Sequence, residues 1–126
     1  MPLIEIYRKY DKTDFTTSGN NISDINIQLL GEVTRELVAR ELDTPEEPDG
    51  HLTVNDIEVQ VREGSPLDLG TLPLQIIVHA NEFPARRANL DERRKRIATE
   101  LRERIPQLRG NCFIWILLHL ASFEML

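Results

Sequence analysis

The sequence predicts an α+β domain in which tandem β-α-β units form a four-stranded mixed sheet with two helices on one face. Short segments rich in β-branched residues alternate with two longer segments whose apolar residues recur at helical spacing. The order β-α-β occurs twice, so the halves, about 2–64 and 72–120, resemble pseudo-repeats. A length of 126 residues, with 40% hydrophobic and 29% charged residues, fits a single domain over 1–126.

The first half is predicted to contain a strand, a helix and a second strand. Leu3–Tyr10 favours a strand because its isoleucine and tyrosine residues have high β propensity. After a polar loop, Ser23–Leu42 has an apolar stripe typical of a helix, which Asn21 or Ser23 would cap. The motif TPEEPDG ends that helix, and Val54–Arg62 then alternates apolar and polar residues as in a half-buried strand.

The second half repeats this order. Leu74–Ala80 and Cys112–Leu120 are nearly continuous apolar runs, which predicts strands buried on both faces. Phe83–Ala88 is predicted to be a connection. The helix over Leu90–Ile105 is preceded by Asn89, and a glutamate three positions later completes a sequence resembling a capping box.

The predicted architecture indicates that the chain associates with other subunits. Within each half the two strands should be parallel and joined by a right-handed helical crossover. Two helices can cover only one face of the sheet, yet the third and fourth strands are apolar on both faces. Since the chain offers no further element to cover the second face, a partner subunit is expected.

Charge and composition argue against several classes of partner. A formal net charge of −6 disfavours nucleic acid and anionic membranes, and no apolar run is long enough to span a bilayer. The beginning of the sequence lacks the pattern of a secretory signal, and the single Cys112 fits a reducing cytoplasm. The three histidines show no metal-ligand spacing and there is no glycine-rich phosphate loop, so no metal or cofactor is expected.

Arginines are concentrated between Arg86 and Arg109. Glutamates alternate with them at helical spacing, which is typical of a solvated helix face with salt bridges. An anion-binding patch is the alternative interpretation.

The segment Met1-Pro2-Leu3-Ile4, followed by a doubled β-α-β order, resembles the tautomerase superfamily. Its members include 4-oxalocrotonate tautomerase, 5-carboxymethyl-2-hydroxymuconate isomerase and macrophage migration inhibitory factor. The resemblance implies a homotrimer whose sheets face a central channel. It also implies a cofactor-independent isomerase or tautomerase that acts on a small, anionic carbonyl or enol compound.

Pro2 is the candidate catalytic residue. Removal of the initiator Met1, which a small following residue permits, would leave Pro2 with a free secondary amine. An apolar pocket or a neighbouring arginine would lower the pKa of this amine, so that it could act as a general base near neutral pH. The alternative is a proline tolerated at the start of a strand.

The resemblance also implies residues that bind substrate. Arginines hold the substrate carboxylate in the family, and Arg8, Arg40 and Arg62 are the candidates here, although each is equally explained as a surface charge. His79 lies in the third strand, which borders the pocket in the family, but a hydrogen-bonded histidine of the core is the commoner case. Glu58 occupies the position of a family arginine. It either activates water, as in hydrating and dehalogenating members, or is an exposed strand residue.

Phe113 and Trp115 align with a tyrosine and an asparagine that reach the pocket in the migration inhibitory factor branch. They would give an aromatic pocket wall, supplied across a subunit boundary, or they pack in the core.

Two further functions remain open. The protein is either a non-catalytic trimeric binding or signalling protein of this fold, or a ferredoxin-like ligand-binding domain in which Pro2 has no role.

Overall fold

A computed structural model describes residues 2–9, 25–64 and 72–120. The helices and strands in chain order are β1 (Leu3–Arg8), α1 (Ile27–Leu42), β2 (Glu58–Glu63), β3 (Leu74–Asn81), α2 (Pro84–Ala88), α3 (Leu90–Arg104) and β4 (Cys112–His119). Single 3₁₀ turns occur at Val54–Asp56 and Pro106–Leu108. None of the helices in these three ranges is both long and apolar enough to cross a lipid bilayer.

The four strands form one mixed sheet in the order β2-β1-β3-β4. β1 is parallel to β2 and β3 is parallel to β4, as each β-α-β crossover requires, whereas β1 and β3 are antiparallel. The prediction of a four-stranded mixed sheet is therefore confirmed. Because β1 is a central strand, its first residues have neighbours on both sides.

The hydrophobic core lies between the sheet and the helices. Alternate side chains of β1 and β3 point into it, and α1 and α3 cover them from the same side. Its members include Ile4, Ile6, Leu30, Leu37, Ile76, Val78, Ile97 and Leu101. Both helices therefore lie on one face of the sheet, as predicted.

The single chain covers mainly one face of β3 and β4, and the second face is half-buried on β3 and exposed on β4. Burial of that second face by a partner subunit stays a prediction. Burial alternates along β4, where Ile114 and Ile116 pack on the core while Phe113 and Trp115 remain 49% and 50% exposed. Helices cover only one side, so alternation follows from the pleat even though nearly every residue is apolar. The sheet face turned away from the helices is called the open face. It carries Glu5, Tyr7, Arg62, Ile77, His79, Phe113, Trp115 and Leu117.

The start of α1 differs from the prediction. Residues 21–24, including the predicted caps Asn21 and Ser23, lie outside the described residues. The helix begins at Ile27, and the Oδ1 atom of Asn26 accepts a hydrogen bond from the Leu29 amide at 3.0 Å. Ile25, which precedes the cap, and Leu30, in the first turn of the helix, are both buried. A buried apolar pair at these two positions fixes the direction in which the chain enters the helix.

Three details of the remaining elements also correct the predictions. Pro84–Ala88, expected to be a connection, is a short helix with proline at its start. Asn89 does not cap α3, because its Oδ1 atom accepts a hydrogen bond from Arg93 Nε at 2.6 Å. Val54–Asp56 is a 3₁₀ turn, so the second strand begins only at Glu58.

Candidate active site

Pro2 lies in a cleft at the end of the sheet where β1 begins and β3 ends. Its side chain is buried, and its carbonyl oxygen accepts a hydrogen bond from the Glu58 amide at 3.2 Å. The cleft has a volume of about 230 Å³. The residues that line it are Pro2, Asp49, His51, Leu52, Asp56, Asn81, Phe83 and Arg86.

Arg86 brings a positive charge into this cleft. Its side chain is only 1% exposed, and it lies in α2, which follows directly after the end of β3. Nη1 donates to the carbonyl of Asn81 at 2.8 Å, and Nη2 donates to the carbonyl of Leu42 at 2.8 Å. The guanidinium carbon lies 4.8 Å from the centroid of the Phe83 ring. These contacts fix the guanidinium group against the cleft wall.

The electrostatic environment of Arg86 is unusual for a buried cation. Burial, and secondarily the neighbouring charge of Arg93, lowers the pKa of Arg86 to about 10, so the group stays protonated at neutral pH. Asp43 and Glu46 oppose this shift from a distance, but within the described ranges no carboxylate forms an ion pair with it. The cleft therefore contains a fixed positive charge that favours an anion.

The loop after α1 forms a second wall of the cleft. Asp43 Oδ1 accepts a hydrogen bond from the Leu52 amide at 2.9 Å and lies 3.0 Å from His51 Nδ1. The Thr44 amide donates to the Gly50 carbonyl at 2.8 Å, which closes the loop. Asp49 has a φ of 61°, in the left-handed region that aspartate tolerates in turns. The loop thus holds Asp49 and His51 at the cleft.

Asp56 is the second carboxylate of the cleft. It accepts hydrogen bonds from the amide of Thr53 at 2.8 Å and from its hydroxyl at 3.1 Å. These bonds lower the pKa of Asp56, the bond from the Thr53 amide most strongly, so the group is ionised at neutral pH. Two carboxylates and one buried guanidinium therefore surround the space beside Pro2.

Two of the predicted arginines lie outside this cleft. Arg8 shares the strand face of Pro2, as predicted, but six residues of strand place it about 20 Å away, and it forms an ion pair with Glu63. Arg40 lies in the last turn of α1 and bridges to α3 through Glu100 at 2.7 Å, a bond that raises the pKa of Arg40. Their predicted roles in substrate binding stay predictions.

The other polar candidates meet on the open face. Arg62 Nε lies 3.3 Å from Glu5, and His79 Nε2 lies 2.8 Å from the other oxygen of Glu5. On its other side, His79 Nδ1 is 2.9 Å from His119 Nε2. The hydrogen bond from His79 is the main reason that the pKa of Glu5 lies below its ordinary value. A polar chain thus crosses all four strands of the sheet, from Arg62 on β2 to His119 on β4.

The aromatic candidates lie on the same open face. The rings of Phe113 and Trp115 are 6.5 Å apart between centroids, and neither lines the Pro2 cleft of its own chain. Glu58 is exposed and accepts a hydrogen bond from Gln60 at 2.8 Å, and it is not among the lining residues of the cleft. A role for Phe113 or Trp115 beside Pro2 therefore requires a neighbouring subunit, and it stays a prediction.

Sequence reasoning missed the residues that accompany Pro2 in the cleft. Arg86 was part of an arginine-rich stretch in which exposed side chains are expected, and three of its members, Arg94, Arg96 and Arg104, do form ion pairs at the surface. One feature of the sequence could have indicated this position. Phe83-Pro84 follows shortly after the apolar third strand, and it places Arg86 close to the end of that strand. Asp49 and Asp56 were visible only as part of an acidic segment.

Known structures share this fold. One is a macrophage migration inhibitory factor-like protein from Entamoeba histolytica, with 11% identity, a TM-score of 0.51, and coverage of 94% of this chain and 89% of that chain. Another is malonate semialdehyde decarboxylase, with 12% identity, a TM-score of 0.53, and coverage of 98% and 91%. That protein has decarboxylase and hydratase activities, and a proline-to-alanine variant of it was solved as well.

These neighbours belong to the tautomerase superfamily, so the resemblance noted from the sequence is confirmed at the level of the fold. Comparison of the sequence with protein-family models gave no match, and comparison with curated proteins gave none at a significant level. The chain therefore has the α+β fold of this superfamily, in a sequence that has diverged far from these structural neighbours.

Proposed function

We propose that this protein is a cofactor-independent tautomerase or isomerase that acts on a small carbonyl or enol acid, with Pro2 as general base. The observation that carries the proposal is that Pro2 is buried in the same cleft as Arg86, a buried cation without an ion pair among the described residues. The proposal requires removal of Met1, which converts the Pro2 amide to an amine.

Two features of the cleft favour a neutral Pro2 amine near pH 7. Burial disfavours the ammonium form because it removes water from the charge. The positive charge of Arg86 in the same cleft disfavours it further by repulsion. The carboxylates of Asp49 and Asp56 act in the opposite direction, but both belong to the more accessible wall. We therefore expect the pKa of Pro2 to lie below that of an exposed amine.

The reaction needs a base and a positive charge in one place. The Pro2 nitrogen takes a proton from the carbon beside the substrate carbonyl, and the electrons of that C–H bond form an enolate. The same nitrogen then returns the proton to another atom of the substrate. The substrate is therefore isomerised with no net gain or loss of protons. Arg86 binds the substrate carboxylate or stabilises the negative charge of the developing enolate. A preorganised cation stabilises negative charge most effectively in a partly desolvated site.

We further propose that the active unit is a homotrimer. Phe113 and Trp115 are about half exposed on the open face, and neighbouring Leu117 is 39% exposed. Contiguous exposed aromatic and aliphatic side chains indicate a surface that another subunit covers. The Pro2 cleft would then lie at a subunit boundary with Phe113 or Trp115 of a neighbour in its wall. Light scattering that gives the mass of a monomer at micromolar concentration would contradict this assembly.

One observation favours hydration as a second candidate function. Asp49 and Asp56 line the cleft beside Pro2, and a carboxylate can activate a water molecule for addition to a carbonyl or a double bond. A structural neighbour with the same fold has hydratase activity. Haloacrylates and unsaturated acids therefore belong in the substrate panel beside enols and muconates, since turnover of the former alone would favour hydration.

The test compares native protein with protein whose terminal amine has been acylated. Intact mass first establishes that Met1 is absent and that Pro2 carries the acyl group. We expect the rate with phenylpyruvate or a muconate to fall about 10²- to 10⁴-fold, the usual contribution of a general base. Pro2→Ala should also lower the rate, and Pro73→Ala is its matched control because Pro73 precedes the corresponding strand of the second half, outside the cleft.

A non-catalytic binding protein gives a different result in the same experiment. If native protein lacking Met1 turns over no compound in the panel, the binding or signalling alternative is preferred. If the acylated protein retains the native rate, the Pro2 amine is not the base.

A further inference from the structure

A second cavity lies between α3 and β4, at the end of the sheet opposite Pro2. Pro2 precedes Leu3, which pairs with His79 near the end of β3. The second cavity instead lies beside Cys112 and Phe113, which pair with the first residues of β3. Within one chain the two cavities have no lining residue in common. A ligand in one therefore does not occupy the other.

We propose that this cavity binds a small carboxylic acid whose apolar part is about the size of a phenyl ring. Its walls combine an apolar interior with two exposed arginines, Arg102 and Arg109. The apolar residues that line it are Ile76, Ala98, Leu101, Leu108, Phe113 and Ile114. An apolar interior with few polar groups near the mouth is typical of sites for small molecules.

The volume of the cavity sets the size of the ligand. The cavity measures about 130 Å³. An engineered cavity of about 150 Å³ lined by similar residues stays dry and binds benzene. One aromatic ring or a short branched alkyl chain therefore fits, whereas a fused ring system does not.

The charge at the mouth selects an anion. Arg102 Nη2 donates to the neutral hydroxyl of Thr99 at 3.4 Å, and no described carboxylate forms an ion pair with Arg102. Arg109 lies in the turn before β4, close to Gly110, whose φ of 74° lets the chain bend around the cavity. A carboxylate at the mouth would accept charge-assisted hydrogen bonds from guanidinium groups, while its apolar part enters the interior.

Cys112 provides a reporter inside the cavity. It is the only cysteine of the sequence, and it lines the cavity wall. Burial raises the pKa of its thiol to about 12, so little of it is thiolate at neutral pH and its reaction with a disulfide reagent such as DTNB should be slow. A molecule that fills the cavity should slow this reaction further.

The test measures the rate of Cys112 labelling in the full-length protein with and without phenylacetate. We expect phenylacetate to protect Cys112 at concentrations at which the neutral analogue benzyl alcohol protects much less. Replacing both arginines (Arg102→Gln with Arg109→Gln) should weaken protection by phenylacetate about tenfold. Arg94→Gln is the matched control, because Arg94 lies on the same helix and pairs with Asp91 away from the cavity.

A cavity-filling variant and a blocked Pro2 separate this site from the proposed active site. Ala98→Leu should abolish protection because its larger side chain occupies the cavity, while circular dichroism checks that the variant is folded. Acylation of Pro2 should leave protection unchanged. The proposal is overturned if phenylacetate gives no protection, if benzyl alcohol protects equally, or if protection is lost on acylation of Pro2.

Discussion

Arg86 Nη1 donates a hydrogen bond of 2.8 Å to the carbonyl oxygen of Asn81, the last residue of β3. The same guanidinium donates to the carbonyl of Leu42 at the end of α1, and Arg93 donates to the carbonyl of Glu41 at 2.8 Å. Two buried arginines thus satisfy carbonyl groups that the end of a helix leaves without partners. Arg86 also ties that helix end to the strand beside Pro2, so the cleft depends on it.

Arg86→Met should destabilise the fold and impair the cleft. The substitution leaves buried carbonyls of Leu42 and Asn81 without a donor, and lost hydrogen bonds to a charged group cost roughly 2–3 kcal/mol. Urea unfolding measures this change. Arg87→Met is the control, since Arg87 is exposed and pairs with Glu82 on the surface, and it should cost less than about 1 kcal/mol. Equal effects of the two substitutions would contradict a structural role for Arg86.

Gly50→Ala and Gly31→Ala should act in opposite directions. A Cβ atom at Gly50 would lie 2.2 Å from the carbonyl oxygen of Thr44, a backbone atom that cannot yield without opening the loop. We expect a loss of roughly 1–3 kcal/mol and a displaced cleft wall, since Asp49 and His51 belong to this loop. At Gly31 the nearest atom is Val59 Cγ1 at 3.4 Å, an ordinary contact, and alanine favours a helix by roughly 0.5–1 kcal/mol.

Thermal and urea unfolding of these two glycine variants provide the measurement. Stabilisation by Gly50→Ala would contradict the close approach of the Thr44 carbonyl to residue 50. Clear destabilisation by Gly31→Ala would contradict the space for a methyl group beside Val59. Activity assays add a second readout, because only the Gly50 variant should alter turnover.

Glu5 should make stability depend on pH in the acid range. Its pKa lies below 4.5, chiefly because His79 donates a hydrogen bond to it, and its side chain is only 15% exposed. A carboxyl whose pKa falls on folding contributes stability that is present above its unfolded pKa and is lost as pH falls through its folded pKa. Glu5→Gln should therefore cost about 1 kcal/mol at neutral pH and flatten the stability curve below about pH 4.5.

His79→Leu tests whether the hydrogen bond from His79 lowers the pKa of Glu5. Without the donor, the acid-dependent part of the stability curve should shrink in the same way as in Glu5→Gln. An unchanged curve in both variants would mean that the polar chain on the open face does not couple to folding.

Much of the fold could be predicted because its signals are local. The stripe that places Leu30 and Leu37 on one side of α1 appears directly in the sequence, and two halves with the same order of elements limit the topology to a few choices. The alternation of β4 could not be seen, because Phe113 and Trp115 are as apolar as the residues between them. The difference between their environments is created by the helices, which cover only one face of the sheet.

The candidate site was predictable only at its centre. Pro2 could be proposed because an amine at a chain end has chemistry of its own. Arg86 could not, because a buried arginine and an exposed one look alike in a segment with many arginines. Its burial depends on carbonyl groups of Leu42 and Asn81, which lie 44 and 5 residues away along the chain and meet it only after folding.

The pKa of the Pro2 amine is the most direct test of the central claim that Pro2 is the base. Protein with ¹⁵N-labelled proline, shown by intact mass to lack Met1, can be titrated by following the ¹⁵N shift of Pro2. Burial beside Arg86 predicts a pKa clearly below about 7.7, the ordinary value of an exposed α-amino group, and a rate that rises with pH through the same value. A Pro2 pKa at or above the ordinary value, or a pH–rate profile that does not follow it, would contradict the account.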